Sequence, residues 1–147
     1  MPTCYVLVGV PGSGKTTWID ARRGQNNWNY RILSTDDYIE SFAKDQGLTY
    51  SEAWNPERYK ESERILQASL VNARSMKQDI FWDQTNLTKK KRQAIFSRFG
   101  TKEYRMVAVE FTTPTIVVVE RWIERNKIGH KIIPFSVLKS MVNSYEP

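Results

Sequence analysis

The sequence predicts an α/β fold in which a parallel four-stranded sheet is sandwiched between helices. Four short apolar segments, at residues 5–8, 31–33, 79–82 and 105–111, have the composition of β-strands, and segments with helical periodicity separate them. Strands that alternate with helices are typical of a parallel sheet that is covered on both faces. A glycine-rich turn joins the first predicted strand to a helix, which is a place where α/β proteins bind phosphate groups.

That turn reads Gly9-Val10-Pro11-Gly12-Ser13-Gly14-Lys15-Thr16, the full spacing of a phosphate-binding loop. Glycines let the backbone curl until successive N–H groups point at an anion, and the following helix directs the positive end of its dipole at the same place. In this pattern Lys15 crosses the β- and γ-phosphates of a nucleoside triphosphate, Thr16 ligates Mg²⁺ and Thr17 contacts the α-phosphate. The predicted triphosphate-binding residues are Pro11, Gly12, Ser13, Gly14, Lys15, Thr16 and Thr17. The alternative is a turn that only connects two elements.

Composition bounds the class of protein. The 147 residues predict one domain, 1–147, and a domain of this size buries about 68–70% of its unfolded surface. Lysine and arginine number 22 against 16 acidic residues, and the net charge of +6 suits a polyanionic partner in addition to a nucleotide. A single cysteine excludes an internal disulfide. Because the sequence has neither a leader pattern nor an apolar run near the ~20 residues of a membrane helix, we expect a cytoplasmic protein without a membrane partner.

The longest predicted helix covers residues 56–77. Its apolar positions recur at helical spacing and form one stripe. The residues of this stripe are Tyr59, Ile65, Leu66, Ser69, Leu70 and Ala73. We expect this helix to act as scaffold.

A second helix is predicted with Thr88 as its N-cap and Gly100 as its stop. It carries the basic run 89–92, which is typical of a solvated helix face. The alternative is a nucleic-acid contact in which Lys90 or Arg92 reaches a phosphate backbone.

Two further helices are predicted near the end of the sequence. One has Thr113 as its cap, begins at Pro114 and runs to residue 126, and the last covers residues 135–145. The segment 127–133 between them has a glycine hinge and basic residues, and we predict that it is a short lid over the site. His130, the single histidine, is expected to be an exposed lid residue.

Acidic residues follow two of the predicted strands, at the edge where parallel sheets bind ligands. Asp36 and Asp37 follow the second strand, and Asp83 follows the third. Asp36 is predicted to take the proton of an attacking hydroxyl, an effect worth ~10²–10⁴-fold in rate. Alternatively, one of the two adjacent acids caps the helix predicted at residues 38–44, and the spacing leaves open which one. Asp83 is predicted to hold Mg²⁺ through water, while Trp82 points to the opposite face and into the core.

Arg121 and Arg125 lie four residues apart and share one helix face. For Arg121 the prediction is a surface ion pair with Glu120 or Glu124. Arg125 lies beside the lid, where a guanidinium can neutralise charge on a transferring phosphoryl group.

Together these motifs resemble the kinase domain of polynucleotide 5′-hydroxyl kinases, above all the phage enzymes. The resemblance covers nearly the whole chain and rests on the loop through Trp18, on Ser-Thr-Asp-Asp-Tyr at 34–38, on Asp-Gln-Thr-Asn-Leu at 83–87, and on Arg-Asn at 125–126 with segment 133–141. It implies a P-loop kinase fold with a lid before the C-terminal helix, ATP and Mg²⁺ as cofactors, and γ-phosphate transfer to the 5′-hydroxyl of a DNA or RNA end. A role in nucleic acid repair and a bacteriophage source are part of the same implication.

The resemblance also assigns roles to residues. By it, Lys15, Asp36 and Arg125 are catalytic, with Asp36 as the general base and Arg125 as the first of two lid arginines and a contact of ATP. Thr16 and Asp83 hold the metal. The acceptor-binding residues are Asp36, Asp37, Thr85 and Asn86.

The sequence departs from the phage pattern at three points. Ile39 stands where phage relatives have an arginine that grips the acceptor phosphate. The second lid arginine is missing, and Arg121, Lys127 or Lys131 is left as its replacement. Gln84 takes the place of the aspartate in the phage Asp-Thr-Asn motif.

Two alternatives to this function stay open. One is a P-loop kinase of a small molecule such as a nucleotide, nucleoside, sugar or antibiotic, which needs no strand-sized acceptor cleft. The other is a regulatory nucleotide switch, suggested by Asn-Lys-Ile-Gly at 126–129, although the acid that pairs with a guanine base is absent there.

Overall fold

Four strands form one parallel sheet in the computed structural model, which describes residues 1–23 and 29–147. The strands are β1 (Thr3–Val8), β2 (Tyr30–Leu33), β3 (Asp79–Trp82) and β4 (Arg105–Glu110). They lie in the order β2-β3-β1-β4, and every neighbouring pair is parallel, with Cys4 of β1 opposite Ile80 of β3 and Met106 of β4. The predicted α/β fold with a parallel four-stranded sheet is confirmed.

Helices connect the strands and follow the last one. They are α1 (Lys15–Arg23), α2 (Thr35–Gln46), α3 (Tyr50–Ala53), α4 (Pro56–Ser75), α5 (Lys89–Phe96), α6 (Thr115–Ile128) and α7 (Phe135–Ser144). Parallel strands require such crossover connections, because a tight hairpin can join only antiparallel strands. Across residues 1–23 and 29–147, none of the helices combines the length and apolar character needed to span a membrane.

Helices cover both faces of the two central strands, β1 and β3, whose side chains alternate in direction. Val6 of β1 packs in a cluster with Leu70 of α4 and Ile95 of α5, so these two helices cover one face. The next residue, Leu7, packs against Ile19 of α1 on the other face. Trp82 belongs to the α4 and α5 side and is only 3% exposed, which confirms the prediction that it is a core residue.

The buried stripe of α4 differs from the predicted one at Ile65 and Ser62. Leu66, Leu70 and Ala73 are buried as predicted, but Ile65 is 40% exposed. Consecutive helical residues lie about 100° apart, so Ile65 faces away from the stripe that Leu66 follows. Ser62 lies on the stripe instead, and its hydroxyl donates a hydrogen bond to the Tyr59 carbonyl.

Several predicted helix boundaries are wrong. Helix α6 runs to Ile128 rather than to residue 126, so the first two residues of the predicted lid 127–133 belong to the helix. Helix α4 ends at Ser75 and not at residue 77, because Lys77 has a positive φ of 52° that a helix cannot accommodate. Helix α5 has Thr88 as its cap, as predicted, but it ends at Phe96, well before Gly100. Helix α6 begins at Thr115, and the Thr113 hydroxyl donates to the Ser13 carbonyl rather than capping the helix.

Replacing Leu70 by alanine tests this packing. Leu70 is 3% exposed and Val71 is 68% exposed, so the two neighbours on α4 have opposite environments. We expect Leu70→Ala to lower the free energy of unfolding by about 2–5 kcal/mol, because it removes buried methyl groups and leaves a cavity. Val71→Ala should change it by less than about 0.5 kcal/mol. Urea denaturation measures both, and equal losses would contradict the orientation of α4.

Candidate active site

The phosphate-binding loop connects the end of β1 to the start of α1. Gly12 and Gly14 have φ values of +83° and +102°, in the left-handed region that residues with a Cβ avoid. Three contacts from distant segments hold the loop. The Gly9 N–H donates to the Thr85 carbonyl at 3.0 Å, the Thr113 hydroxyl donates to the Ser13 carbonyl at 2.7 Å, and the Arg121 guanidinium donates to the Gly12 carbonyl at 2.5 Å.

The contact of Arg121 corrects the prediction of a surface ion pair with Glu120 or Glu124. The Arg121 side chain crosses from α6 to the phosphate loop, and the ion pair with Glu124 is made by Lys127 at 3.2 Å. Arg121 therefore joins α6 to the loop that α1 follows. The pairing of Lys127 also directs that amine to an exposed carboxylate on its own helix.

Lys15 is a partly desolvated cation among carboxylates. Its amine donates to the Gln84 carbonyl at 3.4 Å. Burial lowers the pKa of the Lys15 amine, while Asp83 and Asp36 oppose this by stabilising the charged form and Arg125 adds to the lowering. Because burial disfavours the charged form of the Lys15 amine, an anion bound at the loop would stabilise that charged form.

Asp36 lies at the start of α2 but does not cap it. The cap is Ser34, whose hydroxyl accepts the Asp37 N–H at 3.3 Å, and α2 begins at Thr35 rather than at residue 38. This answers the capping alternative, because neither acid performs that role. The Asp36 carboxylate instead accepts hydrogen bonds from the Tyr50 hydroxyl at 2.6 Å and the Lys131 amine at 2.8 Å.

These contacts set the charge state of Asp36. Burial opposes ionisation, but the charge and hydrogen bond of Lys131 and the hydrogen bond of Tyr50 outweigh it, so the pKa of the Asp36 carboxyl lies below its usual value. Burial and the hydrogen bond to Asp36 also raise the pKa of Tyr50, which keeps that hydroxyl a donor. Asp36 is thus ionised at neutral pH.

The other two acids of the site behave differently. Burial raises the pKa of Asp37, and the nearby Asp83, Asp36 and Glu40 charges raise it further. Burial also raises the pKa of Asp83, with Lys15 opposing that effect. Carboxylates that are hard to ionise together attract a cation, because a positive charge between them stabilises both.

The donors at this edge fit a magnesium ion that is bound partly through phosphate. In the part of the chain that the structure describes, no three His, Cys, Asp or Glu side chains form a metal-binding cluster. Mg²⁺ does not need such a cage, because it retains waters and binds through one or two protein ligands and the phosphates of a substrate. The Thr16 hydroxyl and the Asp83 carboxylate both line the same cleft and are oxygen donors of the required kind.

The segment between α6 and α7 contacts Asp36 through Lys131. It follows Gly129, which ends α6 with a φ of 76°. Besides its bond to Asp36, the Lys131 amine lies 4.4 Å from the centre of the Tyr50 ring, and His130 contacts the Glu40 carboxylate at 2.8 Å. The Ile132 N–H donates to the Ser51 hydroxyl, so the segment contacts both α2 and α3. The sequence indicated a basic lid but gave no sign of its partner Tyr50.

Other predicted residues have structural contacts. Asn86 is 3% exposed, and its amide donates to the Leu7 carbonyl at 2.8 Å, which ties the turn after β3 to β1. Ile39 is fully buried beside Ala43, so its position belongs to the core. Arg92 is 7% exposed and donates to the carbonyls of Asn86 and Leu87, which excludes the predicted alternative that it reaches a phosphate backbone.

One open cleft of about 1660 Å³ runs along the carboxyl edge of the sheet. One part of it is lined by the phosphate loop, Arg121 and Arg125, and the middle by Asp36, Asp83 and Lys131. Another part lies between α4 and α5. The volume exceeds the roughly 300–1,000 Å³ of a site for one small ligand. The cleft therefore has room for a nucleotide and an acceptor side by side.

The sequence model of the AAA domain family AAA_33 matches residues 5–147. No curated protein sequence matches the chain.

Several solved structures have a similar fold. A chain in the structure of the Pnkp1/Rnl/Hen1 RNA repair complex matches with a TM-score of 0.77 and 22% identity over 97% of this chain and 43% of that one. A gluconokinase from Sinorhizobium meliloti matches with a TM-score of 0.57 and 15% identity over 99% of this chain and 76% of that one. Chaetomium thermophilum Kti12, in complex with ADP-AlF3, matches with a TM-score of 0.62 and 16% identity over 98% of this chain and 80% of that one. The chain thus has the P-loop kinase fold, and it spans less than half of its counterpart in the RNA repair complex.

Removing the Lys131 charge tests the electrostatics of Asp36. We expect Lys131→Met to raise the pKa of the Asp36 carboxyl, because burial is then opposed only by the weaker contacts. In the wild type, the stability that this ionised carboxylate contributes is present above its unfolded-state pKa and is lost as pH falls through its folded-state pKa. Carboxyl ¹³C chemical shifts followed against pH report the change. Lys127→Met is the matched control, and an equal pKa in both variants would contradict the pairing.

Proposed function

The chain belongs to the AAA domain family, and on that premise we propose that it transfers the γ-phosphate of ATP to the 5′-hydroxyl of a nucleic acid strand. The observation that carries the proposal is the position of the ionised Asp36 carboxylate. It lines the same cleft as the phosphate loop, and its charge stabilises the charged form of Lys15. A carboxylate at this position can accept the proton of an attacking hydroxyl. The proposal treats residues 1–147 as one kinase domain of the polynucleotide kinase type.

The loop side of the cleft would bind ATP. Backbone N–H groups of residues 12–14 and the amine of Lys15 would hold the β- and γ-phosphates beside Pro11, and Thr17 would contact the α-phosphate. The Thr16 hydroxyl and Asp83 would hold Mg²⁺, which neutralises phosphate charge when it is bound. The Kti12 structure contains ADP-AlF3, so a neighbour of this fold is known with a nucleotide.

In phosphoryl transfer the protein mainly positions the reactants and stabilises charge, and it forms few covalent bonds itself. The acceptor oxygen forms a bond to the γ-phosphorus while the bond from that phosphorus to the bridging oxygen breaks and ADP leaves. Asp36 takes the hydroxyl proton. Each Asp36 oxygen already accepts one hydrogen bond, from Tyr50 or from Lys131, and a carboxylate oxygen has a second lone pair for the incoming hydroxyl.

Arg125 would stabilise the charge that spreads over the transferring group. It lines the cleft, and its charge lowers the pKa of Lys15, so the two cations act on the same space. Arginines in this role contribute ~10³–10⁵ in rate in other phosphoryl-transfer enzymes. Lys131, which also lines the cleft, is the best candidate for the second lid cation, since Arg121 holds the loop backbone and Lys127 pairs with Glu124.

Three observations support a nucleic acid as acceptor. The cleft exceeds the volume of one small-ligand site, the net charge is +6, and a chain of similar fold belongs to an RNA repair complex. The acceptor end would lie against Asp36, Asp37, Thr85 and Asn86. We propose that the reaction serves nucleic acid repair and takes place in the cytoplasm. If the source is a bacteriophage, this is the cytoplasm of the host cell.

A kinase of a small molecule is the second candidate, because the gluconokinase shares the fold over 99% of this chain. The buried Ile39 also favours it, since the phage-type acceptor arginine has no counterpart at that position. A panel of DNA and RNA oligonucleotides, mononucleosides and sugars separates the two candidates. Preferred transfer to a nucleoside or sugar would overturn the nucleic acid proposal.

We expect Asp36→Asn to lower kcat for phosphate transfer from γ-labelled ATP to a 5′-hydroxyl oligonucleotide by ~10²–10⁴-fold, since the proton acceptor is lost. Lys15→Ala should abolish nucleotide binding and transfer together. The matched control is Asp45→Asn, which makes the same chemical change at an exposed position of α2. Full activity of Asp36→Asn would show that another group accepts the proton.

A further inference from the structure

Beyond Asp83 the cleft continues into a groove between α4 and α5. This α4–α5 groove is lined by Glu63, Gln67, Trp82, Lys91, Ala94 and Arg98. It begins beside the catalytic edge, because the indole N–H of Trp82 donates to the Gln84 side chain at 3.0 Å, next to Asp83. The groove thus leads away from the place where phosphate transfer is proposed.

Two cations line the α5 side of this groove. Lys91, Ala94 and Arg98 follow one another at intervals of three and four residues, which puts them on one face of α5 and the turn after it. The five steps from Lys91 to the end of α5 at Phe96 span about 7.5 Å and Arg98 follows in the next turn, so the two cations are spaced along the groove rather than clustered. The other residues of the basic run 89–92 do not belong to the groove. Arg92 is buried and donates to backbone carbonyls, and Lys89 and Lys90 do not line the cleft.

Arg98 is held in position at the groove. Its guanidinium donates to the Gln67 side chain on α4 and lies 5.7 Å from the centre of the Trp82 ring. A guanidinium has five N–H donors, and the bond to Gln67 engages one nitrogen. An anchored arginine of this kind loses little freedom when it binds an anion, which favours recognition of phosphate.

The acidic group of the groove is on the opposite helix from these cations. This group is Glu63, which is on α4 near Tyr59. Burial raises the pKa of the Tyr59 hydroxyl, and the charge of Glu63 raises it further. Glu63 precedes Gln67 by one turn of α4, whereas Lys91 is on α5 and Arg98 is in the turn after α5. The α5 side of the groove is therefore its electropositive side.

We propose that the α4–α5 groove binds the acceptor strand beyond its first nucleotide, with Lys91 and Arg98 contacting backbone phosphates. This inference rests on the proposed function and adds the path of the polymer to it. Contacts to phosphates carry no sequence information, so the groove would accept strands of any sequence. It would also favour oligonucleotides over mononucleotides, which are too short to reach both cations.

Salt dependence of binding tests the groove directly. The probe is a fluorescent single-stranded 5′-hydroxyl hexanucleotide, with anisotropy measured over a range of KCl concentrations. Each lost phosphate contact reduces the magnitude of the negative slope of log K against log salt by about 0.7 for single strands. We therefore expect a reduction of about 0.7 in Lys91→Ala and in Arg98→Ala, and of about 1.4 in the double variant. Lys90→Ala removes one charge from the same helix outside the groove, and its slope should equal that of the wild type.

Kinetics supply a second readout. In the Lys91 and Arg98 variants, KM for the hexanucleotide should rise roughly tenfold with kcat unchanged, since each loses one charge-assisted hydrogen bond to the strand. KM for a nucleoside 3′-monophosphate should stay constant. Arg98→Lys should restore most of the slope because it retains the charge, which separates loss of a phosphate contact from misfolding.

Two outcomes would overturn the proposal in different ways. If the wild type phosphorylates oligonucleotides but the Lys91 and Arg98 variants behave like Lys90→Ala, the groove proposal is wrong and the proposed function survives. If the wild type neither binds nor phosphorylates any oligonucleotide, the proposed function fails and the groove proposal fails with it.

Discussion

The parallel pairing of β1, β2 and β3 is the constraint on which the rest of the site depends. Parallel strands end at the same edge of a sheet, so the segments that follow these three strands meet there. Backbone bonds fix that meeting, with the Gly9 N–H on the Thr85 carbonyl and the Asp83 N–H on the Leu33 carbonyl. The phosphate loop, the acids after β2 and the acid after β3 are therefore neighbours before any ligand binds.

Electrostatics then divides the roles of three acids that share this edge. Asp36 stays ionised because Lys131 and Tyr50 outweigh its burial, whereas burial and like charge raise the pKa values of Asp37 and Asp83. Asp36 therefore keeps its negative charge, while the other two carboxylates favour the approach of a cation. The same edge holds Lys15, so an anion and a cation are both stabilised within one cleft.

Local sequence signals predicted the parts of the molecule that local physics determines. The strands, the phosphate loop and the Thr88 cap follow from spacing along the chain. The lid contact from Lys131 to Asp36 joins residues 95 positions apart, and the Arg121 contact to Gly12 joins residues 109 apart, so no local pattern could predict either. Thr113 has the sequence of a helix cap, but a tertiary hydrogen bond to the phosphate loop takes its hydroxyl.

A crystal structure with a non-hydrolysable ATP analogue, Mg²⁺ and a 5′-hydroxyl oligonucleotide tests the central claim most directly. The claim is that the terminal phosphate and the acceptor hydroxyl meet at Asp36. We expect the 5′-oxygen within about 3 Å of an Asp36 carboxylate oxygen, facing the phosphorus of the γ-phosphate that Lys15 contacts. A strand bound elsewhere, with Asp36 remote from the γ-phosphate, would contradict the account.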